Sequence, residues 1–315
     1  MKGIRYITEG AALLALFVAL MLASLYVPLL GVVLAFVLGV PFIVFTMRHG
    51  FGKSVLFFIV AVLLTVLFGT LKALPITFIF GIGGTMIGVL YAKKQSRYIT
   101  LLGGTIAFAF GFLLWFVLTI SLLHINLSAD QWATTVNESI DRSIKLSESL
   151  GRSVSQQQIE RTKDSISLLK YIIPTFLVVV GAVFSLITQA IGAPILKRLG
   201  HEVEKFPPIR TLKLPKSILW YYLIALILTF PMFNFEQGSF MYIVILNMLA
   251  LLQMLVVLQG ISFIFYFSHQ KGYAKAIPIV VTILALIIPI ILQIVRILGI
   301  IDLGFNLRKQ LDTKK

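Results

Sequence analysis

The sequence contains no cysteine, which removes several classes of protein from consideration. Without thiols the chain cannot form disulfides, zinc–thiolate sites or iron–sulfur clusters, and it has no cysteine nucleophile. Histidine is scarce as well. The four histidines are scattered, and none has the spacing of a metal-binding pair such as H-x-x-x-H: His49, His124, His201 and His269. We therefore expect neither a bound metal nor a cofactor.

Charged residues are also few, at 12% of the 315 residues, whereas hydrophobic residues make up 59%. Soluble domains average about 45–50% apolar and about 25% charged residues. A chain of this composition predicts an all-α integral membrane protein, because a helix satisfies its own backbone groups in hydrocarbon. The lipid bilayer is its expected surrounding.

Catalytic signatures are missing too. The sequence has no G-x-x-x-x-G-K-[ST] loop, no H-E-x-x-H and no G-x-S-x-G. The glycine run at Gly81–Gly84 lies inside an apolar segment and does not follow a strand, so it is no dinucleotide-binding fingerprint. Acidic residues are almost absent from the apolar segments, and no proton-relay carboxylate is evident there. We expect a protein that is not an enzyme.

Apolar runs are what the sequence does contain. Nine of them approach the length of about 20 residues that crosses a bilayer as a helix. They predict a polytopic helical bundle of about nine transmembrane helices: Ala11–Val27, Leu29–Thr46, Val55–Thr70, Ala73–Ala92, Ile99–Leu123, Tyr171–Ala193, Ile218–Phe233, Phe240–Ser268 and Ile277–Ile301.

The net charge of +15 predicts an orientation for these spans. Alternate loops are rich in lysine and arginine, which predicts that these loops and the N-terminus lie on the cytoplasmic side of the membrane. The expected membrane is the cell membrane of a bacterium. We attribute the positive charge to these loops and expect no nucleic-acid partner. Nine spans leave the basic tail that begins at Arg308 outside, against the same rule. The last span contains Pro289 and Arg296, so a broken or re-entrant segment is one explanation.

A polar segment interrupts the apolar runs between residues 124 and 170. Its capping patterns at Ser128 and Ser155 predict two helices. An amphipathic stripe follows the first cap: Trp132, Val136, Ile140 and Ile144. We interpret the segment as an exterior helical hairpin, either a partner-binding module or a cap on its own membrane domain. The organisation is then residues 1–123, the hairpin at 124–170, and residues 171–315.

Small residues recur at every fourth position in three of the predicted spans, and such stripes let helices approach closely in lipid. The longest stripe, on the first span, consists of Ala11, Ala15, Ala19 and Ala23. The other two consist of Gly31, Ala35 and Gly39, and of Gly84, Gly88 and Ala92. Either the stripes pack within this protein, or they form a docking face for another membrane subunit or a second copy. The alanine stripe is the best candidate for docking.

Polar residues inside the last two spans are candidates for a ligand-binding cavity: Asn247, Gln253, Gln259, Gln293 and Arg296. Structural hydrogen bonding, or extension of Arg296 to the headgroups, is the other interpretation. Arg296 is the only charged residue that we place inside a span.

Short motifs near the end of the chain suggest a family. Lys213–Trp220 precedes a span, Gln259–Gly260 lies within one, and Gly299–Lys309 begins at the end of the last span and continues beyond it. In order and spacing they resemble the YybS family of bacterial membrane proteins over essentially the whole chain. The family-motif residues are Pro215, Gln259, Gly260, Asp302 and Arg308.

More distantly, that family is similar to the substrate-capturing S components of energy-coupling-factor transporters and to the cell-shape protein MreD. In S components an alanine at every fourth position of the first helix docks onto the coupling subunit, and Ala11, Ala15, Ala19 and Ala23 match this pattern. The resemblance implies a non-catalytic transport component that binds a small solute and docks on a membrane partner. The alternative is a cell-envelope scaffold, similar to MreD, that transports nothing.

Overall fold

The computed structural model describes residues 2–27, 30–123, 129–149, 155–204, 206–305 and 307–312. Every regular element in these ranges is a helix, which confirms the all-α prediction. The α-helices are α1 (Lys2–Tyr26), α2 (Leu30–Val37), α3 (Gly39–His49), α4 (Phe51–Gly69), α5 (Leu74–Ala92), α6 (Arg97–Leu123), α7 (Ala129–Ser149), α8 (Gln156–Arg198), α9 (Ser217–Leu228), α10 (Phe240–Gln270), α11 (Ala276–Ile287), α12 (Pro289–Phe305) and α13 (Leu307–Asp312).

Six helical segments in the described part of the chain are long and apolar enough to cross a membrane. A seventh candidate arises if α11 and α12 are counted as one bent span. The six fall in the first, third, fourth, fifth, sixth and eighth predicted spans. The helical membrane bundle is thus confirmed, while the other three predicted spans are short or broken helices.

Each of these three segments is interrupted at a proline. Pro41 cannot donate a hydrogen bond to the carbonyl of Val37, and the chain breaks there between α2 and α3. The short α9 ends just before Pro231. Ile288 is extended (φ −107°, ψ 110°), as expected for a residue before proline, and α11 and α12 differ in direction by 117° across it.

By contacts the chain forms two compact units. Unit 1 comprises residues 1–168 and 176–205, and unit 2 comprises residues 169–175 and 206–315. We predicted boundaries at residues 123 and 170 from the change between apolar and polar sequence. The two units are defined by contacts between residues, so the two divisions describe different properties.

Unit 1 is packed around α3 and α5. A Cβ atom on Gly84 would lie 2.5 Å from the carbonyl oxygen of Gly39, and one on Gly88 would lie 2.8 Å from that of Ile43. The two backbones touch along this crossing, with the ring of Phe42 buried beside it. Small residues of the second and fourth predicted spans therefore serve packing inside the unit.

The polar segment of unit 1 contains α7 and the first turns of α8. Ser155 and Gln158 form the predicted capping box, with each side chain bonded to the other residue's backbone N–H. Ile140 of α7 is buried and lines a cavity of about 230 Å³ together with Ile159 and Ile166 of α8, so the apolar stripes of the two helices face each other. Ser128 and the side chains of Trp132 and Val136 lie outside the described residues.

Unit 2 is built on a close crossing of α10 and α12. A Cβ atom on Gly260 would lie 2.0 Å from the carbonyl oxygen of Val295, and one on Gly299 would lie 2.1 Å from that of Val256. Real Cβ atoms essentially never approach other atoms within 3.0 Å. Glycine is therefore required on both helices at this crossing.

The segment after α12 returns to the end of α10. Gln270 Nε2 donates to the carbonyl of Leu311 (3.0 Å), and Tyr266 Oη donates to that of Arg308 (3.3 Å). Because α11 also starts from this end, α11 and α12 leave it and return to it, which is the geometry expected of a re-entrant hairpin. The ninth predicted span is therefore bent, and Arg308 lies near the end of α10 that leads into Lys271.

Labelling can test this arrangement, because the chain has no cysteine of its own. We expect a cysteine at Gln310 to react with a membrane-impermeant maleimide from the same side as one at Lys271. A cysteine at Gln237, which precedes the other end of α10, should react from the opposite side. Labelling of the Gln310 and Gln237 variants from one common side would show that α11 and α12 cross the membrane once.

Candidate functional site

A buried polar cluster in unit 2 is formed by Gln259, Ser262, Asp302 and Arg308, and we call it the Asp302 cluster. Asp302 is only 1% exposed. Its Oδ2 accepts bonds from Gln259 Nε2 (2.5 Å) and Arg308 Nε (3.0 Å), and lies 2.9 Å from Arg308 Nη2. Arg308 Nη2 also donates to Ser262 Oγ (3.0 Å). A buried carboxylate is thereby neutralised, as the low dielectric of the interior requires.

The same cluster holds the chain segment at residues 209–214, which precedes α9. Gln259, Ser262 and Arg308 each bond to its backbone. The bonds are Leu214 N–H to Gln259 Oε1 (2.9 Å), Ser262 Oγ to the carbonyls of Ile209 and Leu212 (2.7 Å each), and Arg308 Nη1 to the carbonyl of Arg210 (2.9 Å). An irregular segment thus obtains hydrogen-bond partners that water would otherwise supply.

The structure brings most of the family-motif residues together. Gln259, Asp302 and Arg308 share the cluster, and the adjacent Gly260 forms the crossing with α12. Pro215 is exposed and follows the segment held by the cluster. Sequence reasoning missed the contacts themselves, because Gln259 and Asp302 are 43 positions apart and no local pattern connects them.

The five residues proposed for a cavity are dispersed. Asn247 Oδ1 accepts from the backbone and hydroxyl of Thr175 (2.9 and 2.8 Å), and Gln259 belongs to the Asp302 cluster. Gln293 is exposed and Gln253 is half-buried. Arg296 is half-buried; its Nε is buried and has no hydrogen-bond partner among the described residues. A ligand role for these five stays a prediction.

The alanine stripe lies on the outer face of α1. Ala11, Ala15 and Ala19 are exposed and Ala23 is half-exposed, whereas Phe17 and Met21 on the opposite face are fully buried. We call these four alanines the alanine face. Unlike the glycines of α3 and α5, they are not buried in a helix–helix contact inside unit 1.

A second buried polar group surrounds Arg97, which is only 4% exposed. Its Nη1 donates to Tyr91 Oη and to Gln189 Oε1 (3.2 Å), and its Nε donates to the carbonyl of Glu204 (2.6 Å). Gln189 Nε2 continues the chain of bonds to Ser185 (3.2 Å). Arg97 lies between the fourth and fifth predicted spans, and nothing in the sequence indicated that its side chain is buried.

Comparison with known proteins adds to these observations. Residues 15–303 match the family described as "Predicted membrane protein (DUF2232)". The chain is also 30% identical over 311 residues to "Uncharacterized protein YybS" of Bacillus subtilis (strain 168), covering 98% of this chain and 99% of the relative. The chain belongs to the YybS family. The resemblance predicted from the motifs is thereby confirmed.

Membership of the YybS family supports a multi-pass membrane protein, in agreement with the six apolar helices. No solved structure matches the chain. The more distant likeness of the YybS family to S components and to MreD stays a prediction, as do the cell membrane as its location and the cytoplasmic N-terminus.

Proposed function

We propose that this protein is a non-catalytic membrane component that docks onto a second membrane protein through the alanine face of α1. The observation that carries the proposal is the exposure of that face, while the chain's other small-residue stripes are used for internal packing. In lipid, helices associate where small residues let backbones approach. A transmembrane helix with its own small-residue face is the expected partner.

The N-terminal part of α1 is held by residues of α3 and α4, which presents the alanine face in a defined orientation. Glu9 Oε2 lies 3.0 Å from His49 Nε2, and the ammonium of Lys53 lies 4.4 Å from the centre of the Tyr6 ring. A helix anchored in this way loses less freedom on docking than a mobile one, so more of the packing energy remains for association.

Two functions are compatible with docking. A transport component of the S-component type would in addition bind a small solute. A scaffold of the MreD type would not, and it is favoured by the amides of Asn247 and Gln259, which are hydrogen-bonded within the protein. Small solutes retained by the purified protein, identified by mass spectrometry, would favour transport.

Substituting Ala15 and Ala19 with leucine should separate docking from folding. We expect at least about a tenfold drop in co-purified partner, corresponding to a loss of about 1.4 kcal/mol of association energy. Ala190→Leu is the matched control, because Ala190 is an exposed helical alanine outside α1. Quantitative mass spectrometry of tagged protein from its native membrane provides the readout.

A second copy of the chain is the other possible occupant of the alanine face. Two differently tagged copies would then co-purify, and the Ala15→Leu, Ala19→Leu variant would abolish this as well. If the double variant instead co-purifies with every membrane partner, and with its own second copy, at wild-type levels, docking through α1 is refuted.

A further inference from the structure

A cavity of about 580 Å³ opens in unit 1 next to Arg97. It is formed by the turn after α5, the start of α6, and the end of α8 with the residues that follow it. This volume falls within the range of about 300–1,000 Å³ that is typical of small-molecule sites. Its ionisable lining residues, besides Tyr91, are Lys94, Arg97, Lys197, His201, Glu202 and Glu204.

Lys94 occupies a left-handed position at the end of a helix, where the comparable turns after α8 and α10 have glycine. The helices α5, α8 and α10 each end with a pair of bonds in which two N–H groups reach back to carbonyls of the last turn. The residue after each cap is left-handed: Gly200 (φ 82°), Gly272 (φ 71°) and Lys94 (φ 50°). Glycine adopts this conformation without strain, whereas a lysine incurs a cost of about 1–2 kcal/mol.

A lysine at a position that favours glycine points to a use for its side chain. The lysine lines the same cavity as Arg97. Backbone conformation alone does not explain it, because the corresponding position of α8, at the same cavity, is Gly200.

The charges around the cavity favour an anion. Lys94 and Lys197 are exposed at the rim, while Arg97 is buried and held in place by Tyr91 and Gln189. His201 adds no charge at neutral pH, because burial, together with the positive charge of Arg48, lowers its pKa. Three cations therefore face the two carboxylates of Glu202 and Glu204.

Phosphate is the anion that best fits this arrangement. The guanidinium of Arg97, bonded to the protein through Nη1 and Nε, contributes its positive charge, and the ammonium groups of Lys94 and Lys197 can each supply a charge-assisted hydrogen bond to a phosphate oxygen. A carboxylate, with one charge and two oxygens, could engage fewer of the three cations.

We propose that this cavity binds a phosphate group, with Arg97 beneath it and Lys94 and Lys197 beside it. The group is carried either by the headgroup of an anionic lipid or by a water-soluble phosphate compound. The proposal concerns unit 1 alone and does not depend on docking through the alanine face.

The test measures binding of two probes to the full-length chain in uncharged detergent by calorimetric titration. The probes are glycerol 3-phosphate and dihexanoyl phosphatidylglycerol, with dihexanoylglycerol as the phosphate-free control. We expect Lys94→Gly to weaken binding of the phosphate probes at least about tenfold, because the substitution removes one charge-assisted hydrogen bond. Its unfolding temperature should stay the same or rise, since glycine relieves the left-handed strain.

Lys93→Ala is the matched control, because Lys93 is an exposed neighbour that does not line the cavity, and it should bind like the wild type. Lys197→Gln should weaken binding like Lys94→Gly. Binding of the lipid probe alone would assign the site to a headgroup, and binding of the soluble probe alone to a solute. Failure of both probes to bind the wild type, or equal affinities for Lys94→Gly and Lys93→Ala, would overturn the proposal.

Discussion

Replacement of Arg308 by methionine is expected to destabilise the protein by about 3–5 kcal/mol. The substitution keeps most of the side-chain volume but removes the partner of Asp302, which is 1% exposed. It also removes the bond to the carbonyl of Arg210. A buried carboxylate without a counter-charge is strongly destabilising. Unfolding in detergent micelles, followed by circular dichroism, measures the effect.

A double variant shows whether the charge is the cause. In Asp302→Asn with Arg308→Met, the carbonyl oxygen of the new asparagine can still accept from Gln259, and no charge is left buried. We expect the double variant to recover about half or more of the lost stability, because removing both members of a buried pair is far less costly than removing one. If the double variant loses as much stability as the single variants Asp302→Asn and Arg308→Met added together, the pair is not coupled and our account of the Asp302 cluster is wrong.

Gly260→Ala is the second change for which we expect a large effect, a destabilisation of about 3 kcal/mol. The new methyl group would lie 2.0 Å from the carbonyl oxygen of Val295, a backbone atom that cannot rotate away. The helices α10 and α12 would have to separate, which would also stretch the bond between Gln259 and Asp302.

Gly52→Ala is the matched control for this experiment. Gly52 lies in α4 with no neighbouring atom within 4 Å of an added Cβ. Alanine should therefore be neutral there, or stabilise the helix by up to about 1 kcal/mol. Equal unfolding midpoints for the Gly260 and Gly52 variants would contradict a tight crossing between α10 and α12.

The sequence predicted those features that depend on neighbouring residues. Apolar length located six of the helices, and the capping pattern at Ser155 and Gln158 was confirmed. Pro289 was recognised as a possible break, and the chain does turn there. A proline or a cap acts within a few residues, so the sequence alone reveals it.

The candidate sites could not be predicted in this way. Arg97 resembles any other basic loop residue until α8 brings Gln189 against it, 92 positions later. Likewise, Asp302 lies at the end of an apolar run, and nothing near it indicates that Gln259 is its partner. Where a helix crossing is set by glycines on two distant segments, pairing depends on the three-dimensional register, which hydrophobic pattern does not encode.

The position of Arg308 has a consequence for how the protein is made. A ribosome adds Arg308 after the three residues to which its guanidinium is hydrogen-bonded, Arg210, Ser262 and Asp302, and 98 residues after the first of them. During synthesis, therefore, the hydrogen bond from Arg308 to the segment at 209–214 and the ion pair with the carboxylate of Asp302 form last. The Asp302 cluster can therefore form only once the chain has been synthesised to residue 308, and any chain that stops earlier keeps a carboxylate on α12 without its guanidinium partner.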